Sequence, residues 1–174
     1  VMFRLYEAAY KALAAKTDTV RGAQLRVVLL TVGQGDALWE RYGHNLLWIS
    51  NAATGESVAW NWGVFNFDEP GFIRRFLFAS AQYKLAGADA SATLDYYART
   101  RREVIGQELA LTSGQRAALD ALVRTNALPE NLYYRYDYFL DNCSTRLRDA
   151  LDIVLDGALR SALIPRPGNV TPRT

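Results

Sequence analysis

The stretch YYRYDYFLDNCSTRLRDALDIVL, Tyr133 to Leu155, contains a change of period that decides how the chain folds. Its first part, Tyr133 to Leu140, is aromatic and strand-like. Further on, Leu147, Ala150, Leu151, Val154 and Leu155 recur at the three- and four-residue spacing of one helix face. Asp141 and Asn142 lie between the two, and Asn is a favoured helix N-cap. The stretch therefore reads as a strand followed directly by a helix, with Cys143 in the helix's first turn.

Working back from this stretch, Thr112-Ser113-Gly114-Gln115 fits a capping box and predicts a helix through Arg124, ended by Pro129. Gln82 to Ala86 and Val104 to Leu111 read as strands flanking a helix over about Ala92 to Arg101. Asn45 to Ser50 and Ser57 to Trp62 are strand-like and separated by a polar loop in which Gly55 is free to take a positive φ, so they are expected to pair as an antiparallel hairpin. Leu25 to Val32 is a continuous β-branched and leucine run that suits a buried strand. Gly33-Gln34-Gly35-Asp36 breaks it, with Asp36 able to cap a short helical turn through Trp39 and Arg41. Phe3 to Ala15 has the pattern of an amphipathic first helix, ending in a Lys-Thr-Asp loop. Val64 to Phe78 reads as a loop with a short helix from about Pro70, and Pro165 to Thr174 as a loosely held tail.

The chain has 174 residues, half of them hydrophobic, which suffices for one core and one domain over residues 1–174. A formal net charge of +2 with 22% charged residues gives no polybasic field for nucleic acid. No apolar run approaches the roughly 20 residues of a membrane-spanning helix. The start does not read as the basic, apolar and small-residue pattern of a signal peptide, and Val1 is what a trimmed or mature chain is expected to show.

The single cysteine excludes an internal disulfide and a two-cysteine metal site within the chain. It leaves a small buried hydrophobe or a reactive thiol. At a helix start the unsatisfied amides and the macrodipole favour thiolate, and the same amides can hold a developing oxyanion. The flank of Asp141, Asn142, Ser144, Thr145 and Arg146 is polar, which suits a reactive thiol. His44, the only histidine, follows Tyr42-Gly43 at the start of the hairpin and is the candidate base. A third group usually orients the imidazole, and Asn61, alternating with Trp60 and Trp62, is the first candidate, with Asp141 or Asp137 behind it. The segment Trp60 to Phe78 carries Trp60, Trp62, Phe65, Phe67, Phe72, Phe76 and Phe78. These aromatics are either core or the wall of a groove for acyl chains, with Arg74 and Arg75 facing lipid head groups.

Four segments together carry a family resemblance: Leu30-Thr31-Val32-Gly33 with Gly35-Asp36; Arg41-Tyr42-Gly43-His44; Trp60-Asn61-Trp62-Gly63 with Phe65-Asn66-Phe67; and Tyr136-Asp137-Tyr138-Phe139 through Asp141-Asn142-Cys143-Ser144-Thr145-Arg146. Over about residues 25–155 the chain resembles the Lnb-type N-terminal periplasmic domain family, most specifically at the cysteine segment. Gln34 and Ala37-Leu38-Trp39 are less typical of it. The order of histidine, polar residue and Asn-Cys at a helix start also resembles the circularly permuted papain-like thiol enzymes, including lecithin-retinol acyltransferase relatives and some NlpC-like proteins. This resemblance implies an α+β fold, with an antiparallel sheet packed against helices and the nucleophile at a helix N-terminus.

The family resemblance implies lipoprotein N-acylation. A fatty acyl group would pass from a glycerol ester through a thioester on Cys143 to the α-amino group of a lipoprotein's N-terminal cysteine, with His44 as base and Asn61 as orienter. Trp60, Trp62, Phe65, Arg74, Asn142 and Arg146 would face the substrate. The chemistry calls for no metal or organic cofactor. The expected partners are lipoprotein or phospholipid acyl chains and a membrane surface, and the expected setting is the periplasm or cell envelope, with the chain a monomer. The competing expectation is a cysteine peptidase or amidase of cell-wall peptides, which would use the same pair.

Overall fold

The structure, a computed structural model, describes residues 9, 12, 15–37, 40–64, 82–135, 137 and 140–163. Six strands form one antiparallel sheet: β1 (Leu25–Val32), β2 (His44–Asn51), β3 (Ser57–Val64), β4 (Gln82–Asp89), β5 (Val104–Glu108) and β6 (Tyr133–Arg135). Their order across the sheet is β5-β1-β2-β3-β4-β6. Five helices accompany it among the described residues: α1 (Thr19–Ala23), α2 (Ala90–Arg99), α3 (Ser113–Asn126), α4 (Cys143–Val154) and α5 (Ala158–Leu163). The class is α+β, as expected from the sequence.

The sheet is covered on both faces. Val27, Leu47, Ile49, Trp60, Trp62 and Leu85 point to one side, where Ala118, Leu119 and Leu122 of α3 and Leu147, Ala150 and Val154 of α4 bury them. Val28, Leu30, Val32, Leu46 and Ala59 point to the other, against Ala90, Leu94 and Tyr97 of α2. Burial on both sides explains why β1 reads as a continuous apolar run rather than an alternating one.

The β2–β3 hairpin forms as expected, with Ser50 opposite Ser57 and Leu47 opposite Trp60, and Gly55 in the turn at φ +74°. The capping box of α3 is also present: Thr112 Oγ1 accepts from the Gln115 amide, and Gln115 Oε1 accepts from the Thr112 amide.

Several boundaries differ from expectation. β4 runs three residues beyond Ala86 and enters α2 directly, because the Asp89 side chain accepts from the Ala92 amide and caps the helix at once. β5 ends at Glu108, short of Leu111. The strand expected over Tyr133 to Leu140 is three residues long, and beyond it Asp137 and Asp141 pair as an isolated bridge. Asp18, expected in a loop, caps the short helix α1 by accepting from the Arg21 amide. Of the first predicted helix, residues 9, 12 and 15 are helical. The expectations for the rest of that helix, for the turn at Trp39, for residues 65–78 and for the tail fall outside the described residues.

α1 is packed close to the start of α3. A Cβ on Gly22 would lie 1.8 Å from the Ser113 carbonyl oxygen, so only glycine allows this approach. The contact is reinforced by Asp120 on α3, which is fully buried and paired with both Arg21 and Arg124.

Candidate active site

His44 begins β2, and Asn61 stands near the end of β3. Because the two strands are antiparallel, both stand at the same end of the hairpin. Their side chains meet: His44 Nε2 and Asn61 Oδ1 are 2.6 Å apart. A carboxamide oxygen can only accept, so Nε2 carries the proton and Nδ1 is left with its lone pair.

Cys143 comes to the same place from the other end of the chain. It is the first residue of α4, and Asn142 caps the helix by accepting from the Ser144 and Thr145 amides, each at 2.9 Å. Thr145 Oγ1 returns the bond by accepting from the Asn142 amide at 2.7 Å. The helix lands beside Gly63, where a register shift interrupts the β3–β4 ladder and φ is +97°. A Cβ on Gly63 would stand 3.8 Å from the Cys143 Cβ, so the residue is at contact distance from the thiol-bearing side chain.

The half-buried thiol is under opposing influences. Burial pushes its pKa up, while the hydrogen bond and charge that His44 offers in its imidazolium form, the Asn45 backbone N–H and the Ser144 hydroxyl pull it down. The pull is the stronger, and the value falls to about 7 from an ordinary 9.0. Cys143, His44 and Asn61, all named from the sequence, thus lie together.

The alternative orienters are engaged elsewhere. The Asp141 carboxylate takes a bidentate pair from Arg146, at 2.5 and 2.7 Å. Asp137 Oδ1 accepts from the Leu140 amide at 2.9 Å.

Of the residues expected to face substrate, Trp60, Trp62, Asn142 and Arg146 are engaged within the fold. Trp62 is 1% exposed and donates its indole N–H to Asn126 Oδ1 at 2.9 Å, and Trp60 is 7% exposed. Both sit in the core beneath α3 and α4 rather than on an open wall, because the alternation that brings Asn61 to His44 turns its neighbours to the opposite face. Arg146 lies 4.1 Å over the Tyr134 ring while clamping Asp141, so it stabilises the approach to the helix. Asn142 is committed to its cap. Phe65 and Arg74 lie outside the described residues.

One further expectation needs correction. The first-turn amides were to hold an oxyanion, but Asn142 occupies those of Ser144 and Thr145, and the Arg146 amide bonds the Asn142 carbonyl at 2.9 Å. Among the described residues, that leaves the Cys143 amide as the one first-turn donor without an acceptor.

The sequence reading also passed over Asn45. Its Oδ1 accepts from Thr31 Oγ1 at 3.0 Å, and its Nδ2 donates to Ser144 Oγ at 3.0 Å, which ties the start of α4 to β2 and β1. No local pattern announces a bond between residues 99 positions apart. Among the described residues, no group of three or more His, Cys, Asp or Glu side chains could hold a metal ion.

A lone thiol at a capped helix start, an imidazole at the start of β2 and a carboxamide bonded to that imidazole make up the candidate site. The family model of the Lnb N-terminal periplasmic domain matches residues 12–170, nearly the whole chain, and the chain belongs to that family. The domain is accordingly periplasmic. No curated protein and no solved structure matches it. No helix among the described residues is long and apolar enough to cross a membrane.

Proposed function

We propose that this domain is a cysteine-nucleophile acyltransferase that moves a fatty acyl group from a glycerol ester to the α-amino group of a lipoprotein's N-terminal cysteine. The observation that carries the reading is the relay Cys143, His44, Asn61, with Nε2 held by Asn61 and the thiol pKa near 7. Family membership supports the periplasmic setting such a reaction needs. The order of histidine strand, asparagine strand and cysteine helix supports kinship with permuted papain-like enzymes.

In the first half-reaction, His44 Nδ1 takes the thiol proton and the sulfur attacks the ester carbonyl. A C–S bond forms and the carbonyl π pair moves to oxygen, next to the Cys143 N–H. Collapse of the tetrahedral adduct breaks the C–O bond, and the glycerol oxygen leaves with the proton from His44. In the second half-reaction an uncharged amine attacks the thioester, His44 takes one of its protons, and the Cys143 thiolate departs as the amide forms. Asn61 keeps the ring aligned through both. No redox partner enters, and the protons balance at His44.

The lipid rather than peptide assignment rests on the family resemblance, since a peptidase or amidase would use the same pair.

The test is to incubate the domain with a glycerophospholipid and a diacylated lipopeptide and to analyse the lipopeptide by mass spectrometry. The reading expects a gain of one acyl group on the α-amine that Cys143→Ala fails to produce. Cleavage of a cell-wall peptide by the same thiol, without acyl gain, would replace it with the amidase reading.

A further inference from the structure

The cap on α4 leaves one first-turn amide for the oxyanion, whereas tetrahedral adducts of acyl transfer are commonly held by two donors. The geometry points to the Ser144 hydroxyl as the second donor, held in place by Asn45. This rests on the acyl-transfer reading above and adds a catalytic residue to it.

Ser144 Oγ lies 3.9 Å from Cys143 Sγ, on the exposed side of the helix start. An oxygen on a carbon newly bonded to that sulfur would therefore form within reach of the hydroxyl. The hydroxyl is also preset: it accepts from Asn45 Nδ2 at 3.0 Å, so its own proton is free to point toward the sulfur and the reacting carbon. Asn45 cannot rotate freely, because its Oδ1 is occupied by Thr31 Oγ1 at 3.0 Å. The Thr31–Asn45 pair stands on two hydrogen-bonded strands, in register, so the donor is fixed by the sheet rather than by a loop.

During attack the hydroxyl donates to the thiolate. As the C–S bond forms and the π pair collects on oxygen, the same proton turns to the oxyanion, without leaving Ser144. No atom is transferred by this residue. Its contribution is a hydrogen bond that is stronger to the tetrahedral adduct than to the ester.

The test compares two reactions of Cys143 in the full chain. Alkylation by iodoacetamide proceeds at a tetrahedral carbon and creates no oxyanion; acylation by p-nitrophenyl butyrate does. Both are measured at a pH above the thiol's titration, so that any effect of Ser144 on the pKa drops out. Ser144→Ala is expected to lower the ratio of acylation to alkylation by about 100-fold, as for loss of a single oxyanion donor. A parallel fall in both rates, or no fall in acylation, would overturn the assignment. Asn45→Ala is expected to lower the same ratio, and an unchanged ratio there would remove Asn45 from the site. A wild-type protein that alkylates but acquires no acyl group overturns the acyl-transfer reading itself, and the role of Ser144 with it. The two failures are thus distinguishable.

Discussion

His44 Nε2 meets Asn61 Oδ1 at 2.6 Å across the β2–β3 hairpin, and this contact leaves Nδ1 as the ring nitrogen that Asn61 does not engage. A carboxamide has no charge, so it fixes the tautomer without the ion-pair stabilisation that a carboxylate would give an imidazolium. Asn61→Ala is expected to lower the acylation rate of Cys143 by about 100-fold, within the range of general acid–base contributions. Stability should fall by only about 1 kcal/mol, the ordinary worth of one hydrogen bond. Stopped-flow acylation and urea unfolding of the same variant check both halves. An unchanged rate would remove Asn61 from the relay.

The depressed thiol pKa gives a pH signature. The iodoacetamide rate is expected to rise with a midpoint near pH 7, two units below the ordinary thiol value of 9.0. In His44→Ala the midpoint moves upward, since burial still raises the value while the two His44 contributions are gone. The sign for stability follows from the same depression. The thiolate's contribution is fully present above the unfolded thiol's value and is lost as the pH falls through about 7. A pH-rate profile with the same midpoint in both proteins would contradict the pairing.

Asn142 separates capping from charge. Asn142→Ala should cost about 1 kcal/mol, because two amides lose their acceptor. Asn142→Asp keeps the cap and leaves stability nearly unchanged, but adds a negative charge next to the thiolate. Its alkylation midpoint is therefore expected to rise above that of the wild type. Chemical denaturation and the alkylation profile together separate the two effects.

Trp62 tests whether the central aromatics are core or groove. Trp62→Ala should lower stability by about 3 to 5 kcal/mol, the range for large aromatic truncations. Trp62→Phe, which strands Asn126 Oδ1, should cost about 1 to 2 kcal/mol. KM for the ester among folded molecules should change little in Trp62→Phe. A large KM change without loss of stability would return Trp62 to the substrate wall.

The parts of the fold and site visible in the sequence are those with local causes. The Thr112 capping box, the Asn142 cap and the hairpin turn at Gly55 each depend on residues a few positions apart, and each is found where the sequence places it. Alternation in β3 correctly separates Asn61 from Trp60 and Trp62. It does not tell which face is open, and here helices cover both, so the two indoles belong to the core. Helices α1 and α5, five and six residues long, are too short to show a period. The Asn45–Ser144 bond depends on long-range approach, and that Cys143 keeps the one first-turn amide without an acceptor among the described residues depends on how the cap uses its acceptors.

The central claim is that Cys143 carries an acyl group, and intact-protein mass spectrometry after incubation with a glycerophospholipid tests it most directly. The account predicts a mass increase of one fatty acyl chain mapping to Cys143, removed by neutral hydroxylamine as a thioester and absent from Cys143→Ala and His44→Ala. A protein that stays unmodified under conditions where iodoacetamide labels Cys143 fully, or an adduct that survives hydroxylamine or maps elsewhere, would contradict it.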